Sequence, residues 1–408
     1  MASNWSLNQV LAQLDSGRKW SGSTITYAFP ALASGLFSQG EAAGFRAVNP
    51  VQQSLITLAL ATWDELIPQG FAPGAVGSSH IEVGYTSTSI GYAHAYFPTN
   101  GSIYFNATEG SLVQTAVGEY GFQTFIHEIG HALGLNHMGD YNGDGNWSPS
   151  SYQDSVVLSV MSYFGPRNAA PNYSAEVMQA DWVGPDGRIH SPQTPMVNDV
   201  LAIQTIYGLS SVTRTGNTVY GFNANAGGPT GNLYDFIVNP QPVLTLFDSG
   251  GFDTLDLSGW ISPSRVDLRA GAYSSANEMT NNIAIAYNTV IEAAVGGGGN
   301  DEITGNAAGN RLVGNGGSDS LNGLDGDDVL DGGPGNDQLD GGAGDDTAIF
   351  AGAFSAYSIS VTGNSVTLTS TVGGSDRAVG IERFQFADVT RTLAELAGGG
   401  PVDTTAPL

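Results

Sequence analysis

Two histidines four residues apart, with a glutamate directly after the first, are the residues whose types and spacing could do chemistry: His127, Glu128 and His131 in the string HEIGH. In a helix, positions i and i+4 share a face, so both imidazoles can reach one ion while the Glu128 carboxylate projects beside them. A carboxylate so placed can take a proton from a water made more acidic by zinc and pass it to a leaving amine, which is hydrolysis without a covalent intermediate. The pattern alone also occurs by chance in unrelated helices, where the histidines are surface or core residues. Its continuation is more specific. In HEIGHALGLNH, Gly134 can adopt a left-handed conformation, end the helix and let the chain turn so that His137 approaches from another side. Three nitrogens leave a fourth position for water.

A second pattern lies far downstream. From Gly296 to Ile349 the chain divides into six nonapeptides, GGGGNDEIT, GNAAGNRLV, GNGGSDSLN, GLDGDDVLD, GGPGNDQLD and GGAGDDTAI. All six match the G-G-x-G-x-D-x-U-x repeat of calcium-binding parallel coils. The first six residues of each form a turn whose carbonyls, at positions such as Gly296, Gly298, Gly314, Gly316, Gly332 and Gly341, face a cation together with the aspartate. The eighth residue points into a thin core. Repeats two apart stack on one side, so Asp301, Asp319 and Asp337 form one row and Asp328 and Asp346 another. Asn310 interrupts the second row, and a weak or missing ion is expected there. Such a module buries little apolar surface, and its carboxylates repel one another until cations fill the turns, so without calcium it is expected to be unfolded.

The elements that must position these groups follow from periodicity. A short amphipathic helix is expected over residues 6–14 and a strand over 23–29. A long helix over 50–67 has Asn49 as N-cap and Pro50 at its first position. Strands are expected over 80–85, 93–97 and 102–105, then the HEIGH helix over 119–133 and a closing helix over 200–207. From Val212 the texture changes to short β-type runs punctuated by Gly, Asn and Asp. The boundary is placed at Ser210, giving an α/β (α+β) domain over 1–210 and an all-β parallel roll over 211–396. Residues 397–408, rich in Gly, Pro and Thr, read as a linker or tail.

A net charge of −26, with 12 Lys and Arg in 408 residues, excludes a cationic nucleic-acid surface and suits cation binding. There is no cysteine, so neither a disulfide nor a thiolate ligand is available and the metal must be held by His and carboxylate. No window approaches 18 continuous apolar residues, so no membrane span is expected. Met1–Val10 shows no Sec-type signal peptide. A G-x-S-x-G nucleophile elbow, which a repeat-bearing lipase would need, is missing from the sequence.

Residues 127–137 match the HExxHxxGxxH signature of the metzincin metallopeptidases, and Ser159 to Tyr163 (SVMSY) resembles their Met-turn. Among metzincins the chain is most similar to the serralysins, with GDYNG after the third histidine, DVLAIQTIYG closing the domain, and the calcium roll following it. The likeness covers about residues 20–395. It implies a metzincin-type zinc protease domain with a small mixed sheet, followed by an RTX β-roll. Met161 would be the apolar floor under the zinc. Tyr163 would be a phenol that ligates the metal at rest and swings to stabilise the oxyanion. The segment Gly91–Phe97 resembles the family's edge strand, with Ala93 and Ala95 contacting an extended peptide substrate through the main chain. His94 in that strand is expected to be exposed rather than a fourth ligand. A non-repeat calcium site would use Arg214, Gly216 and Thr218 with Asp248, Gly250 and Asp253, and Glu292 matches a further family ligand.

Two departures accompany the likeness. Met138 stands where serralysins usually have proline, and residues 139–198 diverge, so cleavage specificity does not carry over. Asp140, Asn142 and Asp144 open like an EF-hand loop, but Ser151 replaces the closing Glu, so calcium there competes with ordinary turn chemistry. The resemblance implies a secreted, extracellular, monomeric endopeptidase that acts on proteins or peptides with one catalytic zinc and several structural calcium ions, exported by a type I machinery. The family's acidic and hydrophobic C-terminal signal is replaced by the Pro- and Thr-rich segment, and the native protein is therefore expected to continue beyond Leu408. The alternative is a catalytically idle binding or adhesin module that keeps the metal fold, and Glu128 speaks against it.

Overall fold

The computed structural model describes residues 3–37, 39–141, 148–166, 172–371 and 373–398. Its first part consists of helix α1 (Leu7–Leu14), strand β1 (Thr24–Ala28), the short α2 (Gln39–Ala42), β2 (Phe45–Arg46), α3 (Pro50–Asp64), β3 (Gly70–Pro73), β4 (Ile81–Thr86), β5 (Ala93–Ala95), β6 (Ser102–Asn106), α4 (Gly110–Val113), α5 (Tyr120–Leu133), the two-residue strands β7 (Phe164–Gly165) and β8 (Asn172–Tyr173), and α6 (Val197–Tyr207).

Helix α3 starts as expected, because Asn49 Oδ1 accepts the N–H groups of Val51 and Gln52 while Gln52 Oε1 accepts the N–H of Asn49. It stops at Asp64, earlier than the apolar period suggests. Helix α6 starts earlier than expected, at Val197, because the Asp199 carboxylate accepts the Met196 N–H and caps the first turn.

The sheet runs β3-β1-β4-β6-β5, with β2 pairing β4. The main pairings are parallel, and β5 closes the order as an antiparallel edge on β6. Strand β3 was not expected, since GFAP carries Gly and Pro, and it occupies the other edge, where proline is tolerated. Helices α3 and α5 pack on one another, and Trp63 Nε1 on α3 donates to Ile126 O on α5 at 3.2 Å. Phe105 of β6 packs edge-on against Phe125, their centroids 4.7 Å apart, which ties the sheet to the helix that carries HEIGH.

Beyond α6 the nonapeptides, with the strand just before them, alternate between two parallel sheets. Strands 293–295, 311–313, 329–331 and 347–349 pair in one, and 302–304, 320–322 and 338–340 in the other. Their eighth residues, Ile303, Leu312, Leu321, Leu330, Leu339 and Ala348, are all buried in one core. A three-stranded meander over 358–379 then joins the second sheet, a form the repeat count did not foretell.

The residues after 210 do not all belong to that second core. Val243, Phe247, Tyr273, Met279, Ala284 and Ala286 pack with the helices of the first part. A buried polar knot joins the same two regions. Glu65, which follows α3, accepts from Arg214 Nη1 at 2.8 Å, Thr230 Oγ1 at 2.7 Å and the Tyr234 hydroxyl at 2.5 Å.

Candidate metal centre and active site

His127 and His131 share one face of α5, and the helix ends where Gly134 takes φ +109°. A Cβ there would lie 2.1 Å from Arg18 O, so only glycine fits the turn that brings His137 back. One ring nitrogen from each histidine falls within 4.8 Å of the others, and among the described residues no other three metal-ligating side chains converge so closely. Nε2 of His131 and Nε2 of His137 are 3.0 Å apart.

The remaining ring nitrogens fix the tautomers. His127 Nδ1 lies 2.7 Å from Val160 O, His131 Nδ1 2.7 Å from Leu135 O and His137 Nδ1 3.0 Å from Tyr141 O. A carbonyl only accepts, so each Nδ1 carries the proton and each Nε2 presents a lone pair. Two lone pairs facing each other cannot hydrogen-bond; a cation between them satisfies both, and carbonyl-held imidazoles are the usual metal ligands. Burial pushes His127 down to about 4 and His137 down to about 3, and holds His131 well below the usual imidazole range. All three are therefore neutral at ordinary pH, as ligation requires.

Glu128 is buried beside them, and its Oε2 has no hydrogen-bond partner among the described residues. Burial alone pushes its carboxyl up to about 8, whereas a neighbouring cation favours the ionised form. The Tyr163 ring lies 4.6 Å from that of His137 and 5.9 Å from that of His127. Burial, with Glu128 nearby, raises its phenol, so it stays protonated.

The turn that carries Tyr163 is held from three sides. Val160 O accepts the His127 Nδ1–H, Met161 O accepts the Met138 N–H at 3.1 Å, and Asp199 on α6 accepts Ser159 Oγ at 2.5 Å and Val160 N at 2.7 Å. Met161 is fully buried, and a Cβ on Gly130 would come 2.7 Å from its sulfur, so the glycine inside HEIGH is what lets the thioether lie under the helix.

Edge strand β5 reaches the same place. Phe97, just past it, packs edge-on against the His131 ring at 5.8 Å. Tyr96 N donates to Ser102 O and Asn106 N to Tyr92 O, and His94 pairs with Tyr104 between them. In an antiparallel ladder the alternate residues then face outward, so the main-chain N–H and C=O groups of Ala93 and Ala95 point to the open edge. His94 is partly buried, with Nε2 2.7 Å from Glu41 Oε1, and stands apart from the histidine cluster.

The carboxylates after 210 form ladders. Asp301 N donates to Asp319 Oδ1, Asp319 N to Asp337 Oδ1, Asn310 N to Asp328 Oδ1 and Asp328 N to Asp346 Oδ1, at 2.6 to 2.9 Å. The second oxygens of Asp319, Asp328, Asp337 and Asp346 are buried and have no hydrogen-bond partner among the described residues. Unpartnered buried carboxylate oxygens fit a bound cation. The side chain of Asn310 instead finds partners within the protein, with Oδ1 accepting Asn306 N and Nδ2 donating to Glu292 O.

Both rows continue where the repeat count ends. Asp337 N donates to Asp376 Oδ1 at 3.1 Å and Asp346 N to Glu382 Oε2 at 2.9 Å. Neither residue shows in the nonapeptide spacing, which the meander breaks; the short string Gly374–Ala378 (GSDRA) still carries the G-x-D-x-U signal.

The non-repeat cluster also assembles. Thr218 N donates to Asp253 Oδ1 at 2.7 Å, Asp253 N to Glu292 Oε2 at 2.8 Å and Gly250 N to Asp248 Oδ1 at 2.8 Å, with Gly216 O accepting Thr218 Oγ1 at 3.1 Å. Asp253 Oδ2 is another unpartnered buried oxygen, and burial, with Asp248 and Glu292 adjacent, pushes that carboxyl up to about 7. Arg214 sends its side chain to Glu65 and Phe247 O. Of the EF-hand-like string, Asp140 is exposed, and Asn142 and Asp144 lie outside the described residues.

Comparison with known proteins is consistent along the chain. Residues 19–143 match the family model described as Matrixin, and residues 210–377 the one described as Peptidase M10 serralysin C terminal. Metallopeptidase AprA of Pseudomonas marginalis is 35% identical over 306 residues, covering 70% of this chain and 61% of the relative. Serralysin C of Dickeya chrysanthemi is 37% identical over 217 residues, or 51% of this chain and 42% of the relative. Serralysin of Photorhabdus laumondii is 33% identical over 281 residues, or 65% and 55%. The chain thus spans about half the length of the curated relatives it matches.

Proposed function

The chain belongs to the serralysin-type metallopeptidases of peptidase family M10, and from that membership we propose that it is a secreted zinc endopeptidase that cleaves proteins. The observation that carries the reading is the convergence of three imidazole lone pairs beside the unpartnered Glu128 Oε2. His127, His131 and His137 would hold zinc, with Tyr163 as a further ligand at rest. When bound, zinc supplies Lewis acidity, which makes a water a stronger acid and polarises a peptide carbonyl. Glu128 takes the proton from the attacking water on its carboxylate and delivers it to the leaving nitrogen. The Tyr163 phenol donates to the oxygen on which negative charge develops. Ala93 and Ala95 bind the substrate main chain as an added strand, which the outward direction of their N–H and C=O groups supports.

The division of labour is a catalytic domain over 1–210, a calcium-dependent β-roll over 211–396, and a tail over 397–408 that lies outside the described residues beyond Gly398. Calcium ligands in the roll are the carboxylates Asp301, Asp319, Asp337 and Asp376 in one row and Asp328, Asp346 and Glu382 in the other. The turn carbonyls beginning at Gly296, Gly298, Gly314, Gly316, Gly332 and Gly341 complete them. Asn310, whose amide is already hydrogen-bonded to Asn306 and Glu292, leaves a gap. Arg214, Gly216, Thr218, Asp248, Gly250, Asp253 and Glu292 supply the non-repeat site. Working outside the cell suits such turns, because extracellular calcium reaches the level that weak carboxylate sites need. Among the described residues no helix is long and apolar enough to cross a membrane.

The test is casein cleavage by the purified chain in calcium, with and without a zinc chelator, beside Glu128→Ala. Chelation should stop cleavage and zinc should restore it, and the variant should lose at least about a hundredfold in turnover while keeping its zinc. Undiminished cleavage by the variant would overturn the mechanism.

A further inference from the structure

One side chain that none of these roles uses touches both the third histidine and the Tyr163 turn. Tyr141 lies four residues after His137, and its carbonyl accepts His137 Nδ1 at 3.0 Å. Its ring lies against those of His137 and Tyr163, with centroids 5.4 and 4.8 Å away. Its hydroxyl accepts the Tyr163 N–H at 3.1 Å and donates to Asp154 Oδ1 at 2.7 Å. Asp154 is fully buried and also accepts Ser162 Oγ at 2.7 Å and Ser150 N at 3.0 Å. Room for the pair comes from Gly139, where a Cβ would lie 2.2 Å from the Tyr141 ring and 2.5 Å from Asp154 Oδ2.

We propose that Tyr141, anchored by Asp154, is a positioning residue that links the third imidazole to Tyr163 and holds the Tyr163 phenol in its working orientation. This rests on the functional reading above. A tyrosine serving only the core would need an apolar bed and one partner for its hydroxyl. Here the hydroxyl is fixed by a buried carboxylate and in turn fixes the backbone N–H of the residue whose ring must act. Asp154 also holds Ser162, the residue before it, so two consecutive residues of the turn hang from one carboxylate. The arc through which the Tyr163 ring can move is set by that backbone, and the Tyr141 carbonyl ties the same strap to His137. Tyr141 itself touches no substrate atom in this scheme; it acts through Tyr163.

The test is a double-mutant cycle with Tyr141→Phe and Tyr163→Phe, read by steady-state kinetics, together with amide hydrogen exchange of the metal-free protein over residues 161–164. Tyr141→Phe should lower kcat about tenfold with KM changed less than about twofold, the size expected from one lost positioning hydrogen bond. In the Tyr163→Phe background the same change should alter kcat less than about twofold, because the group it positions is already gone. The Tyr163 amide should exchange faster in metal-free Tyr141→Phe. If that variant folds poorly, Asp154→Asn must show the same coupling to Tyr163. Equal losses of kcat in both backgrounds, or unchanged exchange at Tyr163, would overturn the proposal. Wild-type protein without zinc-dependent cleavage would sink the functional reading instead, and the exchange measurement would still decide whether Tyr141 restrains Tyr163.

Discussion

Burial holds the Glu128 carboxyl near 8, whereas the proton transfer assigned to it needs the ionised form near neutral pH. A cation held by three neutral imidazoles resolves the conflict, since an adjacent positive charge draws a carboxyl down. In the proposed mechanism the Tyr163 phenol stabilises charge that develops in the transition state. Tyr163→Phe should therefore lower kcat by about ten- to a hundredfold while leaving KM within about twofold, measured on a defined peptide. At this scale HEIGHALGLNH was legible because helical spacing and a turn glycine dictate where three imidazoles go. Asp199, Asp154 and Tyr141 were not. Asp199 and Tyr141 act through backbone N–H groups far along the chain and Asp154 through the hydroxyls of Tyr141 and Ser162, and a lone carboxylate or phenol carries no spacing signal of its own.

Among the elements, the α5 terminus is the one on which the site depends. Gly134→Ala would force a Cβ into Arg18 O at a positive φ, and thermal melts should show a loss of at least about 1 kcal/mol together with weaker zinc retention. The buried ion pair between Glu65 and Arg214, at 2.8 Å, joins the end of α3 to the loop that precedes strand 219–221. Arg214→Met strands the Glu65 charge and should destabilise the protein by about 3 kcal/mol, read by denaturant unfolding in calcium. Long periodic elements such as α3 and α5 could be read from sequence to within a few residues. The Gly- and Pro-bearing β3 and the 358–379 meander could not, because edge pairing and partner strands decide them rather than their own pattern.

On the scale of the whole molecule, the first core extends past residue 210 to Val243, Phe247 and Tyr273, so the state of the region after 210 reaches the helices that carry the histidines through packing as well as through Glu65. Burial pushes Asp319, Asp328, Asp337 and Asp376 from 3.8 up to about 6, with like-charged neighbours adding for the first three. A carboxyl whose folded pKa is raised favours the folded state below its unfolded value, and that contribution is lost as pH rises through the folded one. Calcium-free protein should therefore be more ordered at pH 5 than at pH 7 by hydrogen exchange over residues 296–385, whereas calcium affinity should fall over the same acid range. At neutral pH, calcium removal should unfold this region first and abolish cleavage more slowly than zinc removal does. A zinc titration of chelator-stripped protein held in saturating calcium, followed by casein cleavage, measures whether the three imidazoles hold the working ion. Activity should rise from zero and level off at about one zinc per chain. Cleavage before any zinc is added, or none at any zinc ratio in a protein that remains folded, would rule out a zinc-dependent mechanism at this site.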